Sequence, residues 1–231
     1  MFISLIFPCY NEEQAISQVI PKALKAKQVL IERKKIEKME IIVVNDASTD
    51  TSLLKLKKYE KEIKILSFDK QEGYGAVLQK AFQHSQGDWL AFCDLDDTCD
   101  PQDLFLLIDL AKEKNLSIVW GNRLNKNSQI PFIRKLGNQL YQLIFLILSF
   151  KKVSDPCSGF RLFKKSKFIT QLDSFPKDLS FSLALTGYCI RKKIPFQSID
   201  ISYTDRLGQS KLKPFKDGWI FLAQLIKSLF F

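Results

Sequence analysis

The stretch WLAFCDLDD, residues 89–97, joins an apolar run to a cluster of carboxylates. Its first four residues have the short apolar character of a buried strand. Because side chains alternate along an extended chain, Asp94 and Asp96 should lie on the same side. Two carboxylates held that close repel each other unless a cation sits between them, and a hard divalent ion takes oxygen ligands. The stretch therefore predicts a metal site at a strand end, although a strand-to-helix turn capped by Asp97 or Asp100 would use the same residues.

On both sides of this stretch, short β-rich runs alternate with charged helical segments over residues 1–120. The predicted strands are residues 2–7, 40–45, 63–68, 89–94 and 117–120. The predicted helices are residues 12–38, 51–60, 75–86 and 101–114. This alternation is typical of an α/β fold with a mostly parallel, doubly wound sheet flanked by helices. Ligands of such sheets bind beyond the carboxyl ends of the strands, which are here the loops 8–13, 45–50, 69–75 and 94–100.

The pattern changes after residue 120. The predicted elements there are an apolar helix near 133–150, a turn at 154–159, a helix near 180–193 and a strand at 196–203. No linker rich in Gly, Ser or Pro separates the two parts. We therefore expect one domain over residues 1–213, with halves 1–120 and 121–213, followed by an amphipathic helix at 214–231.

Charge is divided unevenly between these halves. Residues 1–120 carry 16 basic and 19 acidic side chains, whereas residues 121–231 carry 19 and 6. The second half is thus expected to meet an anionic partner, such as a phosphate, a nucleic acid or an acidic membrane surface. Five cysteines without a CxxC pair and a single histidine disfavour a disulfide scaffold or a zinc site. The absence of a secretory signal predicts a cytoplasmic location, and no segment reaches the roughly 20 apolar residues that span a bilayer.

Two further strand ends carry polar groups. In IIVVNDASTD, residues 41–50, Asp46 could accept a hydrogen bond from a base or a ribose hydroxyl, while Ser48 and Asp50 suit helix capping. In FPCYNEE, residues 7–13, an aromatic ring precedes a carboxylate pair. That pair equally suits a capped helix start.

In their order along the chain, these motifs resemble those of inverting glycosyltransferases of family 2, which have the GT-A fold. The likeness is greatest to the polyprenyl-phosphate branch, typified by dolichyl-phosphate mannose synthases. The matching segments are P-x-Y-N-E at 8–12, a substituted V-x-D-G-S-x-D turn at 45–50, G-x-G-x-A at 73–77 with Val77 in the last position, D-x-D at 94–96, G-S-R at 121–123 with Asn122 in place of the serine, D-x-x-S-G-F-R at 155–161 and R-x-G-x-S-K at 206–211. The resemblance covers about residues 2–213. The chain departs from the family pattern at Asn45, Thr98 and Asp100.

The resemblance implies a nucleotide-sugar donor and a divalent cofactor, Mg²⁺ or Mn²⁺. The residues implied at the base and ribose are Pro8, Tyr10, Glu12 and Asp46. Those implied at the metal and the diphosphate are Asp94 and Asp96, with Arg123 also on the donor. The residues implied at the acceptor phosphate are Arg123, Arg134, Arg206 and Lys211. Asp94, Asp96 and Arg206 are the expected catalytic residues.

The implied reaction moves a hexose from a UDP- or GDP-sugar to a polyprenyl phosphate, on the cytoplasmic face of a membrane to which the protein binds peripherally. A phosphate acceptor is already anionic and needs no strong base, which agrees with the acid-free run 181–185 where relatives often carry a Glu. One alternative is a family 2 enzyme that glycosylates a hydroxyl of a glycan or glycolipid. A remoter one is a non-catalytic nucleic-acid-binding module, which the acidic loops disfavour. A dinucleotide-dependent oxidoreductase is disfavoured because the first strand does not end in GxGxxG.

Two apolar segments are expected to differ in their surroundings. The uncharged run 136–150 is most simply a buried core helix. The C-terminal helix has aromatic residues after Lys211, Lys213 and Lys216, so it is expected to anchor the protein at an anionic membrane surface. The alternatives for that helix are docking on the core or a contact between copies of the chain.

Overall fold

A single seven-stranded sheet organises the part of the chain that the computed structural model describes, which is residues 1–126 and 128–230 without the side chains of 214 and 215. The strands are β1 (Phe2–Cys9), β2 (Lys38–Asp46), β3 (Lys64–Phe68), β4 (Trp89–Phe92), β5 (Ile118–Asn122), β6 (Arg161–Lys164) and β7 (Phe196–Asp200). Their order across the sheet is β3-β2-β1-β4-β6-β5-β7. The pairings are parallel except for β6, which runs antiparallel to both β4 and β5.

Helices cover both faces of the sheet. They are α1 (Ile16–Glu32), α2 (Ser52–Lys57), α3 (Tyr74–His84), α4 (Leu104–Glu113), α5 (Phe132–Ser149), α6 (Lys165–Phe168), α7 (Phe181–Arg191) and α8 (Pro214–Phe230). Short 3₁₀ turns occupy Pro101–Asp103 and Ile169–Ser174. The predicted α/β fold with a mostly parallel sheet is confirmed.

The core has two layers because the central strands are apolar on both faces. On one side, residues such as Leu5 and Val43 pack against α1 and α4. On the other, α3, α5, α7 and α8 cover a layer rich in phenylalanine. Phe82 and Phe163 meet edge to face there, with ring centroids 5.4 Å apart. Burial of each such side chain contributes roughly 1.5–3 kcal/mol, before the entropy cost of folding.

The predicted boundaries hold best for the parallel strands. Helix α1 is much shorter than the predicted 12–38. It ends at Glu32, because Lys34 adopts the left-handed conformation at φ 55°, which helical residues do not, before β2 begins at Lys38. Strand β6 was not predicted at all. Its Arg161 is fully buried, so a charge lies where a central strand is usually apolar.

The expectation of a buried helix at 136–150 was wrong. Helix α5 buries only Asn138, Tyr141 and Phe145, while Leu136 and Leu140 on the outer side remain exposed. The reason is that one side of α5 packs on the protein and the opposite side contacts none of the described layers. Within the described residues, no helix is both long enough and apolar enough to cross a bilayer.

The C-terminal helix α8 docks on the protein, which was the alternative to free anchoring. Leu225 is fully buried, and the close approach to α7 depends on Gly187, where a Cβ atom would lie 1.8 Å from the Ser228 Oγ. Trp219 on the same helix is exposed. Helix α8 therefore has both a docked face and an exposed face.

Candidate active site

A cavity of about 450 Å³ opens where the carboxyl ends of β1, β2 and β4 meet. All ten residues that the sequence singled out line it. They are Pro8, Tyr10, Glu12, Asp46, Asp94, Asp96, Arg123, Arg134, Arg206 and Lys211. Parallel strands bring these loops to one edge of the sheet, although the residues are distant in sequence.

Asp94 and Asp96, in the loop after β4, have different hydrogen-bond partners. The Tyr74 hydroxyl donates to Asp94 Oδ1 over 2.8 Å. Thr98 donates to Asp96 Oδ1 from its backbone N–H (3.1 Å) and from its hydroxyl (2.6 Å). Loss of solvation, followed by the charge of Asp96, raises the pKa of Asp94 to about 7. The pair is thus an electrostatically strained acidic site that a cation would relieve.

Gly159 leaves the space that Asp94 occupies. A Cβ atom at this position would lie 2.2 Å from Asp94 Oδ2, a distance that no real contact reaches. The glycine belongs to a loop that Arg161 ties together, since its guanidinium donates to the carbonyl oxygens of Ser158 (2.9 Å) and Pro156 (2.6 Å). Burial lowers the pKa of Arg161 to about 10. Arg161 therefore positions the loop beside Asp94.

A network of ion pairs joins the last loop of the chain to the first. Arg206 donates to both Asp96 and Glu12. Lys211 Nζ lies 2.7 Å from Glu12 Oε1 and 2.7 Å from the Asn11 carbonyl oxygen. Burial raises the pKa of Glu12, against the opposing effect of Lys211 and Arg206. In this state Arg206 neutralises one of the two aspartates after β4.

Asp46 holds a loop. Its two carboxylate oxygens accept the backbone N–H groups of Glu72 (2.8 Å) and Gly73 (3.0 Å), immediately before α3. Asp50 accepts the N–H of Ser52 over 2.9 Å at the start of α2. The capping role expected of Asp50 is therefore present.

Arg123 is bound to a buried carboxylate that the sequence reasoning did not single out. Its Nε lies 2.7 Å from Asp155 Oδ2 and its Nη2 lies 2.9 Å from Oδ1. The Asn138 amide donates to the same Oδ1 over 2.6 Å. Burial alone would lower the pKa of Arg123, but Asp155 raises it well above its ordinary value. The guanidinium stays charged at the cavity wall, with two of its nitrogens already used.

The far end of the cavity is apolar. Helix α5 contributes Ile133, Gly137 and Tyr141, and Phe221 of α8 lies nearby. Apart from its chain neighbours and the backbone of its own helix, a Cβ atom at Gly137 would meet nothing within 4 Å, so this position borders open space. The cavity thus has a charged end at the strand termini and an apolar end between two helices.

The sequence and the fold were compared with those of known proteins. The sequence model of glycosyl transferase family 2 matches residues 4–171. The chain belongs to glycosyltransferase family 2. It is 27% identical over 225 residues to the low-salt glycan biosynthesis hexosyltransferase Agl6 of Haloferax volcanii, covering 94% of this chain and 51% of Agl6. It is 28% identical over 244 residues to the dolichyl-phosphate beta-glucosyltransferase of Homo sapiens, covering 99% of this chain and 74% of that protein.

The fold of this family 2 glycosyltransferase is also found in solved structures. Glucosyl-3-phosphoglycerate synthase of Mycobacterium tuberculosis, crystallised with Mn²⁺, UDP and phosphoglyceric acid, aligns with a TM-score of 0.70 at 17% identity. The alignment covers 98% of this chain and 76% of that one. The present chain spans about half the length of Agl6.

Several residues at the site of this glycosyltransferase were not predicted from the sequence. Asp155 lies in the D-x-x-S-G-F-R segment and Tyr74 lies between two glycines, so motif position could have indicated both. Asp178 also lines the cavity, just before the acid-free run of α7, and accepts the N–H of Ser180 over 2.8 Å. Asn138 and Gly137 gave no signal, since a polar residue and a glycine within an apolar helix have many explanations.

Proposed function

We propose that this family 2 glycosyltransferase transfers a hexose from a UDP- or GDP-sugar to a polyprenyl phosphate, with Mg²⁺ or Mn²⁺, while bound peripherally to the cytoplasmic face of a membrane. The observation that carries the proposal is the two-ended cavity. A phosphate fits its cationic end, and a hydrocarbon chain fits the apolar end between α5 and α8. The names of the H. volcanii and human relatives, a hexosyltransferase and a dolichyl-phosphate glucosyltransferase, agree with this substrate class.

The donor would occupy the charged end. Pro8, Tyr10, Glu12 and Asp46 line the part beside β1 and β2, where we place the nucleoside. Asp46 would act there through the loop that it fixes as well as through its own oxygens. Arg123 would contact the diphosphate with the guanidinium nitrogen that Asp155 leaves free.

Asp94 and Asp96 fit a divalent ion, since both are oxygen ligands and their mutual repulsion favours a cation. The described residues contain no cluster of three or more His, Cys, Asp or Glu side chains that could hold a metal. Donor phosphates and water would therefore complete the shell, as is usual for Mg²⁺. A bound metal would stabilise the charge that develops on the leaving diphosphate.

The acceptor phosphate would lie among Arg134, Arg206 and Lys211. Arg134 lies beside the apolar end and donates to Ser210 over 2.6 Å. An acceptor oxygen attacks the anomeric carbon as the bond from that carbon to the diphosphate breaks. The products are a lipid-linked sugar phosphate, inverted at the anomeric carbon, and a nucleoside diphosphate. No proton has to leave the attacking oxygen. The cations hold two anionic groups close together.

The test is sugar transfer from a panel of UDP- and GDP-sugars to a short-chain polyprenyl phosphate in detergent, with Mg²⁺, Mn²⁺ or EDTA. We expect a lipid-linked product that EDTA abolishes. Donor binding without any transfer to the lipid phosphate would contradict the proposed acceptor.

A hydroxyl acceptor is the second candidate, and Asp178 is the observation that favours it. Its carboxylate lines the cavity and could take a proton from a hydroxyl. On the phosphate proposal, Asp178→Asn is expected to keep kcat within about threefold, because no base is needed. A loss of about 100-fold or more would match a general base and favour the hydroxyl acceptor. Family membership argues against a non-catalytic nucleic-acid-binding module.

The open space at Gly137 provides a separate test of the apolar end. Gly137→Leu should place a side chain in the cavity and raise the KM for polyprenyl phosphate about tenfold, with donor affinity unchanged. Gln139→Leu is the matched control, since it adds the same side chain to an exposed position of α5. Equal KM values for the two variants would contradict the proposal that the lipid chain binds at this end of the cavity. Both replacements are measured by transfer kinetics against acceptor concentration.

A further inference from the structure

Exposed hydrophobic side chains are concentrated in one region. Of the seventeen large hydrophobic residues that are exposed in the described part of the chain, thirteen lie either on residues 132–150 or on α8. The other four, Ile31, Leu54, Phe105 and Ile169, are scattered singly. Scattered apolar residues are ordinary on a protein surface, whereas a contiguous group marks an interaction site.

Helix α5 is two-sided. Asn138, Tyr141 and Phe145 face the protein and are buried. Leu136, Leu140, Leu143 and Ile147 are 55%, 52%, 52% and 60% exposed and follow one another at helical spacing. We define these four residues as the outer stripe of α5. Their spacing places them on one side of the helix, away from the buried residues.

The surroundings of the outer stripe are positively charged. The sequence has no acidic residue between Glu113 and Asp155. Arg134 and Lys135 lie in the first turn of α5, and Lys151 and Lys152 follow its end. An apolar stripe with basic residues at both ends fits the surface of an anionic bilayer. A second copy of the chain fits less well, because a two-fold contact would bring the same cations together.

The outer stripe is continuous with the cavity. Ile133 and Gly137 line the cavity, and Leu136 and Leu140 lie on the same helix with their side chains exposed. A helix lying in the membrane interface would thus place the apolar end of the cavity beside the acyl chains. A lipid phosphate could reach the cationic end while its hydrocarbon chain stayed in the bilayer.

We propose that α5 is the principal membrane-docking element of this protein, through its outer stripe, and that its partner is an anionic lipid bilayer. Helix α8 adds a smaller contact through Trp219 and Ile226. This shifts the membrane contact from the C-terminal helix, where the sequence had placed it, to the middle of the chain. Docking through α5 does not depend on the proposed sugar-transfer reaction, whereas the route for the lipid acceptor rests on it.

The test is co-sedimentation of the purified chain with phosphatidylcholine vesicles that contain or lack phosphatidylserine. We expect binding that needs phosphatidylserine. The double replacement Leu140→Gln/Leu143→Gln should weaken it at least tenfold, and Trp219→Gln/Ile226→Gln less than threefold. The matched control is Leu54→Gln/Phe105→Gln, which removes two exposed apolar side chains elsewhere and should leave binding unchanged. Thermal unfolding midpoints should agree among the variants, since every replaced side chain is exposed.

Two outcomes would overturn the proposal. One is undiminished vesicle binding by the α5 variant. The other is a dimer in sedimentation velocity that the α5 replacements convert to a monomer without changing vesicle binding, which would assign the stripe to a second copy. Transfer assays distinguish a failure of the membrane-docking proposal from a failure of the proposed function. The α5 variant should keep its activity on a detergent-dispersed short-chain acceptor and lose it on vesicle-embedded acceptor. A wild-type chain that binds vesicles but transfers no sugar would contradict only the proposed function.

Discussion

Asp96→Asn is expected to lower metal-dependent sugar transfer about a thousandfold, which corresponds to roughly 4 kcal/mol of transition-state stabilisation. On the proposed function, the replacement removes one of the two carboxylates assigned to the metal, together with the charge that pairs with Arg206. Donor phosphates and water cannot restore that charge. The measurement is kcat at saturating donor, with Mn²⁺ varied over a wide range. A partial rescue at high Mn²⁺ is expected, because Asp94 remains.

Asp97→Asn is the matched control for this prediction. Asp97 is the next residue, but it pairs with Lys22 over 2.6 Å and does not line the cavity. Its φ of 62° is one that asparagine also adopts readily. Activity should therefore stay near that of the wild type. Normal turnover by Asp96→Asn would refute the assignment of Asp96 to the metal.

Asp155→Asn is expected to lower the free energy of unfolding by about 3 to 5 kcal/mol, since it leaves the Arg123 guanidinium without its buried counter-charge. The Asp155 side chain is fully buried and accepts bonds from Arg123 and from Asn138. An asparagine side chain of the same size can keep some of the hydrogen bonds but not the charge. Urea unfolding followed by circular dichroism measures the change.

The control for this stability prediction is Asp109→Asn. Asp109 pairs with Lys35 over 2.7 Å, but both side chains are about 40% exposed, so the loss should be below about 1 kcal/mol. A similar loss for Asp109→Asn and Asp155→Asn would show that burial of the Arg123 pair is energetically unimportant.

The stability contributed by the ion pair of Arg123 and Asp155 is expected to depend on pH. Burial alone would raise the pKa of Asp155, but the charge and hydrogen bonds of Arg123 lower it below its ordinary value. A carboxyl group with a lowered folded-state pKa stabilises the fold above its unfolded pKa of about 4. That contribution is lost as the pH falls through the folded-state value. The stability difference between the wild type and Asp155→Asn should therefore be constant near neutral pH and narrow below about pH 4.

The location of the site could be predicted from the sequence because it follows from strand direction. Parallel strands end at one edge, so the polar residues after β1, β2 and β4 had to meet. Asp94 and Asp96 were found in this way from a single apolar run. Arg206 and Lys211 were found only through the family resemblance, since no periodicity connects them with Glu12.

The partners of these residues could not be predicted. Arg123 was expected to face phosphate, yet its strongest contact is Asp155, which depends on how the loop after α5 folds. Strand β6 was missed because Arg161 satisfies its charge with carbonyl oxygens that only the folded loop supplies. Helix α5 was assigned to the core because composition records how apolar a helix is, but not whether a neighbour covers it. The roles of the ten cavity residues stay predictions until the substitutions are measured.

The ion pairs of Arg206 and Lys211 with Glu12 can form only late in the synthesis of the protein chain. Glu12 and Arg206 are 194 positions apart, so a ribosome working at 5 to 20 residues per second makes the second partner about 10 to 40 seconds after the first. During that interval the nascent chain can build its first parallel strands, but Glu12 has neither of its cations. Substrate-binding competence should therefore arise only as translation of this segment finishes, after most of the hydrophobic core has already formed.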